Sequence, residues 1–217
     1  DGNSLYAGGA SGITRFAVSG SGGLTVAATS QGISGITAIA QSPSTNPSFS
    51  SDLYAISASN SALYLLDAST LSIQTSLVGA QQLGLTGPLA ITISPDGQSV
   101  FVASTVSSAI AVIARDTAAP LLSLAQILQN GVDGVRALAD PNGLAISRDG
   151  HFLIASVQTD NMAVFALTGS KWQFVQQVRN NADDVTGLFA PDAVVIGTNA
   201  AGVSTAYVTA FGNASTS

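Results

Sequence analysis

A strand-forming phrase recurs along the chain at nearly constant spacing, and this repeat constrains the fold more than any other feature. "SPDGQSVFVAS" begins at Ser94 and "SRDGHFLIAS" begins at Ser147, so each phrase joins a turn to a short apolar strand. A period of this length is typical of architectures in which each repeat is one supersecondary unit. Related strand starts are spaced by 48, 47, 52 and 54 residues, at Ser4, Asp52, Ser99, His151 and Thr205.

Each repeat contains four short segments with the composition of β-strands. A nearly unbroken apolar run, such as "LAITI", precedes the phrase, and two alternating segments, such as "IAVIAR" and "LSLAQIL", follow it. The unbroken run predicts a first strand buried on both faces, whereas alternation predicts later strands that are half exposed. Four antiparallel strands per repeat predict an all-β fold, a β-propeller of four-stranded blades.

The repeated phrase opens with the turn that joins the first two strands of a blade. Pro95 presets φ for the turn, Asp96 favours it through its side chain, and Gly97 accepts the positive φ that follows. The second copy keeps Asp149 and Gly150 but has arginine in place of the proline. The segment 41–51 is interpreted as a lengthened version of the same connection.

The segments predict about four to five blades. They correspond to the last three strands of a first blade, three complete blades, and the first two strands of another. The predicted units are about 1–35, 36–88, 89–142, 143–191 and, in part, 192–217. Because the chain opens with Asp1 and Gly2, as though cut inside a repeat turn, we expect a segment of a larger propeller or a ring completed by a second chain. Five blades with an incomplete closing sheet is the alternative.

The charge and composition of the chain make some binding partners and locations more favourable than others. The net charge is −6, and only six basic residues are scattered along the chain, so we expect no nucleic-acid partner. There is no cysteine, which excludes disulfides and thiolate metal sites. No signal peptide and no long apolar stretch is present, so no membrane insertion is expected. A surface of small polar residues, with 8% charged residues and no glutamate, favours an extracellular or cell-surface location.

The repeats resemble a known family. The phrases "LAITISPDGQSVFVASTVSSAIAVIARD" and "QNGVDGVRALADPNGLAISRDGHFLIAS" are similar to lactonase-like, or YVTN-type, β-propeller repeats of bacteria and archaea. The resemblance covers nearly the whole chain and is strongest from Leu83 to Val178. It implies a propeller, and the functions it implies are sugar lactonase, muconate-lactonising enzyme, or repeat module of a large surface or adhesin-like protein.

The residues offer few catalytic groups. The sequence has no glutamate, one histidine and no motif for a serine nucleophile, a zinc protease, a phosphate loop or an EF-hand. His151 starts a strand on the face away from the loops that join one blade to the next, and we interpret it as a surface or turn-packing histidine.

One face of the predicted propeller is rich in Asp and Asn. The connections between blades, and those between second and third strands, emerge on this face. Calcium takes oxygen ligands of these types, so the face is chemically suited to it, although the same residues also initiate turns. The residues concerned are Asp133, Asp140, Asn142, Asp160, Asn161, Asp183, Asp184 and Asp192.

The resemblance adds one specific candidate on this face. "PNGLA" is similar to the segment by which metal-dependent gluconolactonase-type propellers present an asparagine to their ion, which implies Asn142 as a ligand. Asp140 and Asp192, from the Asp- and Asn-rich face, are the other two candidate metal ligands. Those enzymes also use a glutamate, which this sequence lacks.

Three further features have structural interpretations. Trp172 and Phe174 fit blade packing by an outer strand. Arg115 and Asp116 are predicted to form a solvated turn. Asn213 begins a glycosylation sequon.

The sequence therefore leads to two alternative predictions of function. The first is a noncatalytic propeller module of an exported bacterial surface or adhesion-type protein, which presents its loop face to a protein or glycan partner, with calcium as a candidate ion. The alternative is a lactonase-type hydrolase of which this chain is an incomplete propeller.

Overall fold

The computed structural model describes residues 2–43, 45–79, 82–200 and 202–211, and within them 17 strands form five antiparallel sheets. The first sheet contains β1 (Ser4–Gly9), β2 (Gly12–Val18) and β3 (Leu24–Thr29). The second contains β4 (Ile36–Gln41), β5 (Asp52–Ser57), β6 (Ala62–Asp67) and β7 (Ile73–Val78). The third contains β8 (Pro88–Ile93), β9 (Ser99–Ser104), β10 (Ala109–Arg115) and β11 (Leu122–Gln129). The fourth contains β12 (Pro141–Ile146), β13 (Phe152–Val157), β14 (Asn161–Thr168) and β15 (Lys171–Arg179). The fifth contains β16 (Pro191–Thr198) and β17 (Ser204–Ala210).

The sheets are the blades of a partial β-propeller, as predicted. Each sheet is a simple meander in which consecutive strands pair, and the numbers of strands are three, four, four, four and two. We call the four positions in a blade A to D, so the first sheet holds strands B to D and the fifth holds strands A and B. Strand A of each blade contacts strand A of the next, from β4 through β8 and β12 to β16. The A strands therefore gather at the inner side of the arc. None of the described residues lies in a helix that could cross a membrane.

The hydrophobic core lies between neighbouring blades. Alternate residues of β9 pack on opposite sides: Val100 and Val102 join the cluster shared with the second sheet, while Phe101 and Ala103 join the cluster shared with the fourth. Because successive side chains of a strand point to opposite faces, a blade with a neighbour on each side must be apolar at every position of its central strands.

This arrangement corrects the predicted gradient of burial. Strands B and C are the buried ones, since every residue of β5 is buried and so is nearly every residue of β9 and β10. Strands A are only partly buried, as in β4 and β8, because their free edges line the inner side of the arc. The D strands are partly exposed, as predicted, since β7 has no buried residue and β11 has buried residues only at Leu122 and Leu128.

The repeated turn has the predicted geometry. The backbone N–H of Gly97 donates to the carbonyl of Ser94 at 2.9 Å, and that of Gly150 donates to Ser147 at the same distance. Both glycines have a φ of +74°, a region that side chains rarely adopt. The carboxylate of Asp96 accepts from the Ser94 hydroxyl and from a backbone N–H.

The repeat turns also contact one another across blades. The long A-to-B loop of the second blade reaches the turn of the third, where Thr45 Oγ1 and Asn46 Nδ2 each donate to a backbone carbonyl at 2.8 Å, those of Pro95 and Asp96. The same loop places Phe49 under the guanidinium of Arg115, 5.0 Å from the ring centroid.

The predicted solvated turn at Arg115 is wrong. The Arg115 side chain is buried and forms an ion pair with buried Asp52 of the preceding blade. Asp116, the next residue, is exposed. The sequence prediction failed because the partner carboxylate lies 63 residues away and meets Arg115 only when blades stack.

Candidate functional site

The four A strands share a β-bulge near their first residue. In each A–B pair the register shifts after the first residue, so that one residue of strand A has no direct partner on strand B. Bulges re-aim a side chain and are frequent beside functional sites. The four residues, which we call the bulge row, lie at the inner edge of the loop face: Thr37, Leu89, Asn142 and Asp192.

Two members of the bulge row tie their blade to the next one. Thr37 Oγ1 donates to the carbonyl of Pro88 at 2.8 Å. Asn142 Nδ2 donates to the carbonyl of Pro191 at 2.9 Å. Each proline is the first residue of strand A in the following blade, so the two hydrogen bonds are equivalent. The side chain of Leu89 has no polar group, so it cannot make the equivalent hydrogen bond to the fourth blade.

The second amide atom of Asn142 is also engaged. Its Oδ1 accepts from the hydroxyl of Ser156 at 3.0 Å, and the same hydroxyl lies 3.1 Å from the carbonyl of Asp192. Asn142 is buried, so these bonds satisfy polar groups that water does not reach. The side chain predicted as a metal ligand therefore has a structural role in joining the fourth and fifth blades.

Asp192 is the exposed carboxylate of the bulge row. Its Oδ1 lies 3.5 Å from Asn142 Nδ2, so the structure brings these two predicted residues together. A carboxylate has no proton to donate at neutral pH. Asp192 cannot tie its blade to a following carbonyl in the way that Thr37 and Asn142 do.

The other predicted residues of the loop face occupy turns around the bulge row. Asp133, Asp183 and Asp184 are exposed and have positive φ. Asp160 is half-buried, and its Oδ1 accepts from the backbone N–H of Ala190 at 2.8 Å, which holds two loops of this face together.

The remaining two predicted residues differ in burial. Asp140 is exposed and has a φ of +56°, and its backbone carbonyl accepts from Gln158 at 3.3 Å. Asn161 is buried and binds Thr159 and Gln177 through its amide. In the described part of the chain, no group of three or more His, Cys, Asp or Glu side chains is placed to hold a metal ion. Calcium on this face stays a prediction.

His151 lies on the opposite face, beside the repeat turn. Its imidazole Nδ1 is 3.7 Å from Asp149 Oδ2, and both side chains are mostly exposed. The Ser147 hydroxyl, followed by the backbone N–H of His151, lowers the pKa of Asp149 below its usual value. This geometry agrees with a surface histidine beside a turn.

Trp172 packs between blades. It is 5% exposed, and its ring meets Phe101 of the third blade edge to face at 5.2 Å. Gln126, also of the third blade, binds the backbone N–H and carbonyl of Trp172 at 2.9 and 2.8 Å. The predicted sequon at Asn213 lies outside the described residues.

Sequence reasoning missed the bulge row as a set. A signal was available, because Pro88, Pro141 and Pro191 stand immediately before three of its members. Proline cannot donate to a ladder and is found at the first residue of strands and at bulges.

The family comparison gives a match over more than half of the chain. The family model described as "Lactonase, 7-bladed beta-propeller" matches residues 62–184, which include the third and fourth blades and the last two strands of the second. No curated protein matches the sequence.

Solved structures share the fold at low identity. A protein from Lactobacillus plantarum is 24% identical with a TM-score of 0.65, over 82% of this chain and 54% of that one. A candidate 6-phosphogluconolactonase from Bacteroides uniformis is 15% identical with a TM-score of 0.66, over 98% of this chain and 70% of that one. The Cps50 (Swd1) propeller domain from Myceliophteria thermophila is 13% identical with a TM-score of 0.66, over 97% of this chain and 67% of that one. The chain thus spans about half the length of the Lactobacillus protein.

Proposed function

The chain belongs to the lactonase family of 7-bladed β-propellers, and from this premise we propose that it forms part of a lactone hydrolase that binds substrate at the bulge row. The observation that carries the proposal is the exposed carboxylate of Asp192, held at the inner edge of the loop face beside Asn142. Ligand pockets are frequent in the mouths of β-barrels, and the inner edge of this loop face is the corresponding place in a propeller.

Further blades complete the ring in this proposal. The two end sheets expose apolar side chains that a neighbouring blade would cover, among them Leu24 and Val26 at one end and Val195 and Tyr207 at the other. Tyr207 is 62% exposed, whereas Phe101 in the third blade is fully buried. Large exposed apolar patches mark interaction surfaces. The occupant is the remainder of a larger propeller, and a second chain is the alternative.

Asp192 has the chemistry of a general base in this site. Its carboxylate takes a proton from a water molecule while the water oxygen bonds to the lactone carbonyl carbon. The ring C–O bond then breaks, and the ring oxygen takes the proton back from Asp192 and leaves as the hydroxyl of the open acid, whose carboxyl group releases the proton that is measured. A following blade would bring a carbonyl toward Asp192, as Pro191 is brought toward Asn142, and two acceptors side by side favour a ligand hydroxyl or a cation.

Calcium is the candidate ion for this edge of the loop face. Its proposed ligands are the carboxylates of Asp140 and Asp192, and Asn142 would offer its Oδ1 if the Ser156 hydroxyl turned wholly to the Asp192 carbonyl. A bound calcium ion would polarise the lactone carbonyl.

The charge of the loop face favours an uncharged lactone. From residue 130 to 192 the loops and strand ends of this face carry six aspartates, whereas the basic residues there are Arg136 and Arg179. A phosphorylated or carboxylated lactone would meet net repulsion. A neutral sugar lactone is therefore the proposed substrate class.

Proton release from glucono-δ-lactone by the full protein tests this proposal. We expect hydrolysis, slower turnover of 6-phosphogluconolactone, and a loss in kcat of roughly 100-fold or more in Asp192→Asn. Asp116→Asn is the matched control, because Asp116 is exposed on the other face. A rate of hydrolysis no faster than that of the lactone in buffer alone, or full activity in Asp192→Asn, would contradict the proposal.

The hydrogen bonds made by two asparagine side chains of the loop face favour a second function. Asn142 and Asn161 are occupied by structural hydrogen bonds, which leaves exposed turn carboxylates such as Asp133 and Asp183 as the groups that face outward. Such carboxylates are suited to a noncatalytic module of an exported surface or adhesion-type protein. In this function they bind calcium, and the calcium ion binds a protein or glycan partner.

Two measurements distinguish the second function. A glycan array probed with and without calcium would show calcium-dependent retention, and Asp183→Asn/Asp184→Asn would weaken it. Protease treatment of intact cells would remove the protein if it lies at the cell surface. Retention that ignores both calcium and these carboxylates would exclude this mode of binding.

A further inference from the structure

Side chains of the fourth blade hold the backbone on both sides of Asp192. The carbonyl of Pro191, in the peptide unit before Asp192, accepts from Asn142 Nδ2 at 2.9 Å. The carbonyl of Asp192 itself, in the peptide unit after it, lies 3.1 Å from the Ser156 hydroxyl. The same hydroxyl is 3.0 Å from Asn142 Oδ1, so the two holding side chains also fix each other. Together they set the direction of the Cα–Cβ bond of Asp192.

No other member of the bulge row is held in this way within the described residues. Leu89 has one such hydrogen bond, from Thr37 to the carbonyl of Pro88 before it. In the described part of the chain, no side chain of a preceding blade donates to the carbonyl of Leu89 itself, or to the carbonyl on either side of Asn142. The one doubly held position is therefore the one that carries an exposed carboxylate.

The residues that hold Asp192 depart from the pattern of the repeat. In each A–B pair, the residue after the bulge faces one residue of strand B. Both are apolar in the second and third blades, whereas in the fourth blade they are a glycine and a fully buried serine. The three pairs are Ala38–Ile56, Ala90–Ala103 and Gly143–Ser156. Departures from local sequence rules are expected at functional sites.

Glycine at residue 143 is needed for this contact. A Cβ there would lie 2.8 Å from the carbonyl oxygen of Asp192, a distance that is too short for packing. Without a Cβ, the Asp192 carbonyl comes close enough to the fourth blade to meet the Ser156 hydroxyl. The polar serine and the missing side chain therefore act together, in the one blade that precedes Asp192.

We propose that Ser156 and Asn142 are positioning residues for the Asp192 carboxylate. This inference rests on the proposed function, in which Asp192 takes a proton from a water molecule. A general base must lie within hydrogen-bond distance of the proton that it takes, and a misplacement of about 1 Å can lower a rate by about 100-fold. A backbone that is fixed on both sides of Asp192 prevents such a misplacement.

Hydrolysis of glucono-δ-lactone by variants of the full protein tests the inference. We expect Ser156→Ala to lower kcat by about 10-fold with little change in KM, because the carboxylate is kept but less well placed. Ser104→Ala is the matched control and should keep the wild-type kcat. Ser104 is as buried as Ser156, and its hydroxyl has no hydrogen-bond partner among the described residues. If Ser156→Ala does not fold, Ser156→Cys, which has a weaker donor in a similar volume, takes its place.

A double variant distinguishes positioning from a general effect on the fold. If Ser156 acts through Asp192, Ser156→Ala lowers kcat in the wild-type background but not in the Asp192→Asn background. Equal losses in the two backgrounds, or an unchanged kcat in Ser156→Ala, would overturn the inference and leave the lactone hydrolase in place.

NMR spectroscopy gives a readout that does not depend on hydrolysis. We expect the backbone amide resonances of Asp192 and Ala193 to shift in Ser156→Ala and to stay unchanged in Ser104→Ala. A wild-type protein that does not hydrolyse the lactone would contradict the proposed function, and the amide shifts would still decide whether Ser156 positions Asp192. Unshifted resonances in Ser156→Ala would overturn that positioning.

Discussion

The guanidinium Nε of Arg115 lies 2.7 Å from Oδ2 of Asp52, and this buried ion pair joins strand C of the third blade to strand B of the second. Both side chains are almost completely buried, at 6% and 3% exposure. Phe49 covers the guanidinium, and the Tyr54 hydroxyl lies 3.4 Å from the same carboxylate oxygen. The pair thus closes the turn face of the interface between two blades.

Removing one partner of this pair will destabilise the protein strongly. Asp52→Ala leaves Arg115 buried without a counter-ion, and we expect the free energy of unfolding to fall by about 3–5 kcal/mol. Asp116→Ala, at the adjacent exposed aspartate, should change it by less than about 0.5 kcal/mol. Urea denaturation of both variants measures the difference. A loss in Asp52→Ala no larger than the control would show that the pair does not stabilise this interface.

The hydrogen bond from Asn142 to the next blade will contribute more to the free energy of unfolding than the equivalent hydrogen bond from Thr37. Asn142→Ala leaves the carbonyl of Pro191 without its donor in a buried place, at a cost of about 2 kcal/mol. Thr37 is exposed, so water replaces its hydroxyl in Thr37→Ala, and the cost is about 0.5 kcal/mol. Chemical denaturation of both variants checks the order, and an inverted order would contradict it.

A side chain at residue 143 will not fit. A Cβ on Gly143 would lie 2.8 Å from the carbonyl oxygen of Asp192 and closer still to the Ser156 hydroxyl. We expect Gly143→Ala to cost about 2 kcal/mol through overpacking and to displace Asp192. Gly20→Ala is the control, because a Cβ there meets nothing within 4 Å. Thermal melting compares the two, and equal melting temperatures would show that the blades can separate freely at this place.

Deprotonation of the Tyr54 hydroxyl will lower the stability of the folded protein at alkaline pH. Burial, followed by the nearby charge of Asp52, raises the pKa of Tyr54 from 10.0 to about 12. A raised pKa means that the folded state holds the proton more tightly, so this contribution is complete below pH 10 and is lost as pH rises toward 12. Unfolding measured across that window should show a smaller pH dependence in Tyr54→Phe. An unchanged dependence would assign the alkaline loss to other groups.

Local signals in the sequence were sufficient for the blades themselves. The Ser-Pro-Asp-Gly turn, the strand starts and the apolar segments depend on residues that are neighbours in the chain, so their physical causes can be read from short stretches. The strand count of each sheet and the long A-to-B loop of the second blade are confirmed for this reason.

Burial and side-chain partners were decided by the stacking of blades. Alternation along β10 predicted a half-exposed strand, but nearly every residue of β10 is buried because each of its faces packs against a different blade. Arg115 looked like a solvated turn because Asp52 is distant in sequence. Asn142 suggested a metal ligand from its motif, yet its amide is satisfied by Pro191 and Ser156, which lie on other strands.

The sequence by itself determined the repeat, the turns and the all-β blade, because hydrogen bonding within a meander is local. Only the tertiary structure decided which charges are buried, which bulged residues join blades, and that Asp192 stands exposed beside Asn142. Those properties belong to contacts between blades about 50 residues apart, and the free energy of such contacts is set by geometry that no single repeat contains.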